Sequence, residues 1–95
     1  MMTAYWIAHV TVTDPETYKQ YQQRAAGVFQ HYGATFLARG GEAEVKEGPE
    51  LQRHVIIQFP SMEAALACYD SPAYQEARGF REASAIAHVT IVAGV

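Results

Sequence analysis

Position parity sorts the side chains of Tyr5-Trp6-Ile7-Ala8-His9-Val10-Thr11-Val12 into two sets. The even positions are all apolar, whereas the odd ones mix Tyr5 and Ile7 with His9 and Thr11. Successive side chains of a strand point to opposite faces, so this stretch predicts a strand with one core face and one partly wet face. Thr13-Asp14-Pro15-Glu16 then starts a helix. Either Asp14 caps it with Pro15 at the first helical position, or Thr13 caps it and Glu16 completes a capping box. Tyr18, Tyr21, Ala25, Val28, Phe29 and Tyr32 recur at spacings of three and four, and Gly33 follows as a stop, so the helix spans about 15–32.

A second strand is expected over Thr35-Phe36-Leu37-Ala38-Arg39, with Gly40-Gly41 as a turn or bulge. The alternation of residues 42–47 allows it to resume as a polar-edged ribbon before the loop Gly48-Pro49-Glu50. Arg53-His54-Val55-Ile56-Ile57-Gln58-Phe59 is the most β-branched run and predicts a third strand. Ser61 caps a second helix, which carries Ala65, Cys68 and Tyr69 on one face. Ser71-Pro72 starts a third over about 72–84. Gly79 costs that helix about 1 kcal/mol relative to alanine, and a kink is expected there. Ala87-His88-Val89-Thr90-Ile91-Val92 forms the last strand.

The order β-α-β-β-α-β, with its second helix split, is the ferredoxin-like order of an α+β fold. It places both helical segments on one face of a four-stranded antiparallel sheet, in strand order 4-1-3-2. Val10, Val12, Val55, Ile57, Phe59, Val89 and Ile91 should meet the helices. Tyr5, Ile7, His9, Thr11, Leu37, Arg39, His54, Ile56, Gln58, His88, Thr90 and Val92 should share the other face. No element remains to cover that second face, and contiguous exposed apolar patches mark interaction sites. A homodimer packed sheet against sheet is therefore expected, with a semi-polar cavity inside it for a small organic molecule.

Composition narrows the partners. The 95 residues suffice for one domain, 1–95, with one core. No run approaches the ~20 apolar residues of a membrane span. A net charge of -3 argues against a nucleic-acid partner. Met1–Tyr5 has no basic or apolar region of leader type, and the lone Cys68 cannot form an internal disulfide, so a reducing cytoplasm is the expected compartment. Five of the seven cationic residues are arginines, the side chain best suited to two-pronged recognition of carboxylates.

Several segments together resemble one family. They are Val12-Thr13-Asp14-Pro15-Glu16, Phe36-Leu37-Ala38-Arg39-Gly40-Gly41, Glu47-Gly48-Pro49, Phe59-Pro60-Ser61-Met62-Glu63-Ala64-Ala65 and Tyr69-Asp70-Ser71-Pro72-Ala73-Tyr74. The combination is similar to the domain of unknown function 1330 over nearly the whole chain. The resemblance implies a dimeric α+β barrel, a fold shared with small cofactor-free monooxygenases, isomerases and haem-processing proteins. It implies no particular reaction.

On the mixed face, His9 is the candidate catalytic base, since an imidazole titrates near neutral pH. Arg39 is the candidate anion holder, provided the bulge falls after it. Thr11, Gln58, His54 and His88 complete the candidate ligand-binding set. His54 and His88 are expected to come near Thr11, with His9 one pleat away. Three converging histidines would resemble a zinc or copper ligand set, but no carboxylate is expected on that face and no metal is assigned. No cofactor is expected either. Arg53 and Arg81 rank lower because each lies near an element end. The tyrosines read as core with hydroxyls reaching the surface, and Cys68 has no activating neighbour. The rival readings are a non-catalytic small-molecule binder and a structural dimer without a ligand.

Overall fold

The computed structural model describes residues 2–95; Met1, which opens the stretch read against a leader, lies outside the described residues. The chain runs β1 (Ala4–Val12), α1 (Pro15–His31), β2 (Thr35–Arg39), β3 (Arg53–Phe59), α2 (Met62–Asp70), α3 (Pro72–Ser84) and β4 (Ala85–Ala93). β1 lies inside the sheet, antiparallel to β3 from Ala4 opposite Phe59 to Val10 opposite Arg53. Its other side pairs with β4 from Ala4 opposite Ala93 to Val12 opposite Ala85. β2 takes the outer side of β3, giving the order β2-β3-β1-β4. This is the expected order read from the opposite edge.

Caps and turns fix the helices. Asp14 caps α1, accepting hydrogen bonds from the Thr17 amide at 3.3 Å and the Thr17 hydroxyl at 2.8 Å. These bonds hold its carboxyl below the usual value of 3.8. The helix ends at Gly33, whose φ of 79° favours glycine. Ser71 joins α2 to α3 with one hydroxyl, which donates to the Cys68 carbonyl at 2.8 Å and accepts from the Tyr74 amide at 3.2 Å.

The even face of β1 is buried against all three helices, as its parity predicts. Trp6 sits at the centre. Its ring lies 5.1 Å from Phe29, 6.0 Å from Phe59, 5.5 Å from Tyr69 and 5.0 Å from Tyr74. Cys68 is fully buried in this core, and desolvation pushes its thiol up to about 12.

Four expectations change. Residues 42–47 form no strand; Ala43 and Val45 offer too little apolar surface to offset the ordering of a ribbon beyond the sheet edge. The irregularity in β2 falls between Phe36 and Ala38, before Arg39 rather than after it. β4 begins at Ala85, directly after α3, so Ile86 joins the open face opposite Thr11. α3 is continuous through Gly79, where a Cβ would meet nothing. Packing of the Tyr74, Ala77 and Arg81 stripe holds this helix together despite the weak position.

Two outcomes test this description. Asp14→Ala should lower the melting temperature by a few degrees at neutral pH, measured by circular dichroism. A carboxyl depressed in the folded state stabilises above its unfolded pKa and loses that contribution as pH falls through the folded value. The gap between wild type and variant should therefore close on acidification below 3.8. Cys68 should resist iodoacetamide in the native protein and react fully in denaturant, followed by mass spectrometry; fast native labelling would contradict its burial.

Candidate functional site

The two faces of the sheet carry different chemistry. On the open face the side chains form rows across the strands. Val92, Tyr5, Gln58 and Thr35 make one row, and Thr90, Ile7, Ile56 and Ala38 the next. The third is His88, His9 and His54, each directly opposite its neighbour. His54 and His88 therefore flank His9 itself rather than Thr11, which faces Ile86. The Nδ1 atoms of His9 and His54 are 2.8 Å apart. At least one ring must be neutral, because an imidazolium has no acceptor for the other to donate to.

The loop after β2 passes beside this row. Ala43, Glu44, Val45, Lys46, Glu47, Pro49 and Leu51 join the three histidines around a cavity of about 350 Å³. Carboxylates thus do reach this side, contrary to the expectation from the strands alone. Lys46 is paired with Glu44 at 2.9 Å. Among the described residues, no three histidine, cysteine or acidic side chains converge to hold a metal ion.

Arg39 is not on this face. Phe36 pairs with Ile57 and Ala38 with Ile56, so Leu37 is the extra residue and every later side chain changes sides. Arg39 then pairs with Val55 and turns toward the helices, with its guanidinium 3.6 Å above the Phe36 ring. Five of the six proposed site residues share the open face, and Arg39 stands across the sheet from them.

What Arg39 joins is a second cavity of about 350 Å³ between α1 and the sheet. Its apolar wall includes Trp6, Tyr18, Phe29, Phe36 and Ile57. Ala8 on the sheet and Ala25 and Ala26 on α1 line it, and these small side chains leave the space open. Its charged lining is Lys19, Arg39, Arg53 and Arg81, with no acidic residue. Arg81 is only 7 % exposed. The Nε atoms of Arg53 and Arg81 are buried without a hydrogen-bond partner among the described residues.

Backbone geometry seats Arg53. Gly40 has φ 70°, and a Cβ there would stand 2.8 Å from Arg53 Cζ. Its amide donates to the His54 carbonyl at 2.9 Å. Glycine at this position therefore serves both the turn and the guanidinium lying against it.

Tyr21 also lines this cavity, and its hydroxyl is 2.9 Å from that of Tyr74. Burial, then the neighbouring Tyr74, pushes the Tyr21 phenol well above its ordinary value. Burial likewise raises Tyr74, with the Arg81 charge pulling the other way. These two hydroxyls do not reach the surface as expected; they hydrogen-bond to each other inside the core. Arg81 was legible in one respect. Tyr74, Ala77, Arg81 and Ser84 follow helical spacing on the buried face of α3, so the arginine belongs to an inward stripe despite its place near the helix end.

The chain belongs to the family described as domain of unknown function 1330, whose model matches residues 3–95. Comparison with curated proteins gives no match. Among solved structures it is similar to a protein of unknown function from Rhodopseudomonas palustris. The two share 19% identity over 96% of this chain and 81% of the other, with a TM-score of 0.80. It is also similar to SnoaB, a cofactor-independent oxygenase from Streptomyces nogalater, at 14% identity over 96% and 91% of the two chains and a TM-score of 0.66. An uncharacterised NIPSNAP domain protein from Burkholderia xenovorans follows at 14% identity over 97% and 92%, with a TM-score of 0.55. At these identities the likeness concerns the fold.

Proposed function

We propose that this protein takes a small, flat, largely apolar organic molecule into the cavity between α1 and the sheet. The observation that carries this reading is the cavity itself. Protein interiors are close-packed, with few voids larger than a water molecule, yet about 350 Å³ lies open beside Trp6, Phe29 and Phe36. That volume falls within the roughly 300–1,000 Å³ of small-molecule sites. SnoaB has the same fold and is a cofactor-independent oxygenase. Oxygen addition or isomerisation without a cofactor is the activity we carry over, with non-catalytic binding as the alternative. The pairing of His9 as base with Arg39 as anion holder is dropped, because the sheet separates the two side chains.

We further propose that the open face joins a second copy of the chain. Ile7 and Ile56 lie on it, as do Ile86 and Val92, which are 57% and 44% exposed. Such a surface favours a partner. In that dimer Thr11, Gln58, His9, His54 and His88 face the other copy, and their contribution is to the interface and its polar interior. The expected compartment is the cytoplasm.

Trp6 is the single tryptophan and lines the cavity, so its fluorescence reads occupancy directly. Titration with 2-naphthoate should give a saturable change at one equivalent per chain; a flat titration with 2-naphthoate and related bicyclic probes would sink the binding reading. Light scattering at micromolar concentration should give the mass of two chains. A single-chain mass would remove the dimer without touching the helix-side cavity.

A further inference from the structure

We propose that the helix-side cavity is an anion site: Arg81, with Arg39 and Arg53, binds the carboxylate or enolate oxygen of a planar organic anion, and the Tyr21 hydroxyl donates to it. This rests on the reading that the cavity holds a ligand, and adds its charge and orientation.

The charge distribution supports it. The chain is acidic overall, with ten carboxylate residues against seven cationic ones. Yet four of those seven, Lys19, Arg39, Arg53 and Arg81, line this one cavity, and no acid does. The ion pairs among the described residues are Lys46 with Glu44 and Arg78 with Glu82, so none of the four has an acidic partner. A guanidinium cannot relieve its burial by losing a proton, and a buried charge without a partner is expensive. Arg81 is more than nine-tenths buried with its Nε unsatisfied, and the Arg53 Nε is in the same state. An oxyanion beside Arg81 would supply the missing acceptor.

The tyrosines complete the arrangement. Arg81 Cζ stands 5.8 Å from the Tyr21 ring centroid, so charge and phenol border the same space. Of the two protons in the Tyr21–Tyr74 contact, one is used between the hydroxyls. With Tyr74 as the donor in that contact, the Tyr21 proton is the one left for the ligand. Both phenols are raised above their ordinary values and stay protonated at neutral pH. The aromatic walls accept the flat apolar body of the ligand while the arginines take its charged end. Arg81 and Tyr21 are binding groups in this account, and no proton transfer is assigned to them.

The test compares 2-naphthoate with neutral 2-naphthamide by Trp6 fluorescence, using the wild-type chain, Arg81→Gln and Arg39→Gln. The carboxylate should bind the wild type about tenfold or more tighter, the difference of one charge-assisted hydrogen bond. Arg81→Gln should abolish that preference. Arg39→Gln alters an exposed residue that does not hold the core, and should reduce the preference severalfold. It decides the matter if the Arg81 variant fails to fold. Tight, equal binding of both probes would overturn the anion site and leave the small-molecule reading standing. Binding of neither would overturn both. An unchanged preference in the folded variants would likewise overturn the assignment to these arginines.

Discussion

One indole ring ties the layers of this molecule together. Trp6 projects from the middle of β1 and touches aromatic rings from α1, β3, α2 and α3. Its burial on the helix face sets the parity of β1, and parity places His9 on the opposite side. A one-residue slip of β1 would bring His9 into the core and expose the indole. The cavity follows from the same centre. Next to so large a ring, Ala8, Ala25 and Ala26 do not fill the layer between sheet and helix.

Much of the architecture was legible because each element announces itself locally. The caps at Asp14, Ser61 and Ser71, the stop at Gly33 and the parity of β1 all describe features present in the fold. The apolar set assigned to the helix face lies there without exception. What local pattern leaves open is finer. A bulge is one residue long and reverses all that follows, and no glycine or proline marks the one at Leu37. The positive φ at Gly40 belongs to the turn and to the seat of Arg53, rather than to the bulge. Arg39 therefore faces the helices, although strand alternation alone puts it on the open face.

The histidines and tyrosines show a second limit. Parity assigns His9, His54 and His88 to one face, but only the register makes them a single row. Register depends on how three strands align and is not written in any one of them. The Tyr21–Tyr74 contact joins residues far apart in the chain, on helices whose relative rotation the sequence does not state. Arg81 lies near a helix end, a place that in the sequence alone suggests exposure. Here the helix end is itself internal, because α3 passes straight into β4.

That junction has a mechanical consequence. The Ser84 carbonyl accepts from the amides of Thr13 at 2.8 Å and Asp14 at 3.1 Å, at the point where α3 becomes β4. One peptide group thus locks the end of α3, the start of β4 and the turn leading into α1. Arg81 lies less than one turn upstream, and α1 forms the opposite wall of its cavity. The molecule has no slack there: a length change at residue 84 or 85 would be transmitted to both walls at once. The stretch between β2 and β3 is mostly exposed and non-helical, and would absorb a length change more freely. Tolerance to insertion and the placement of charge are therefore two expressions of the same joint.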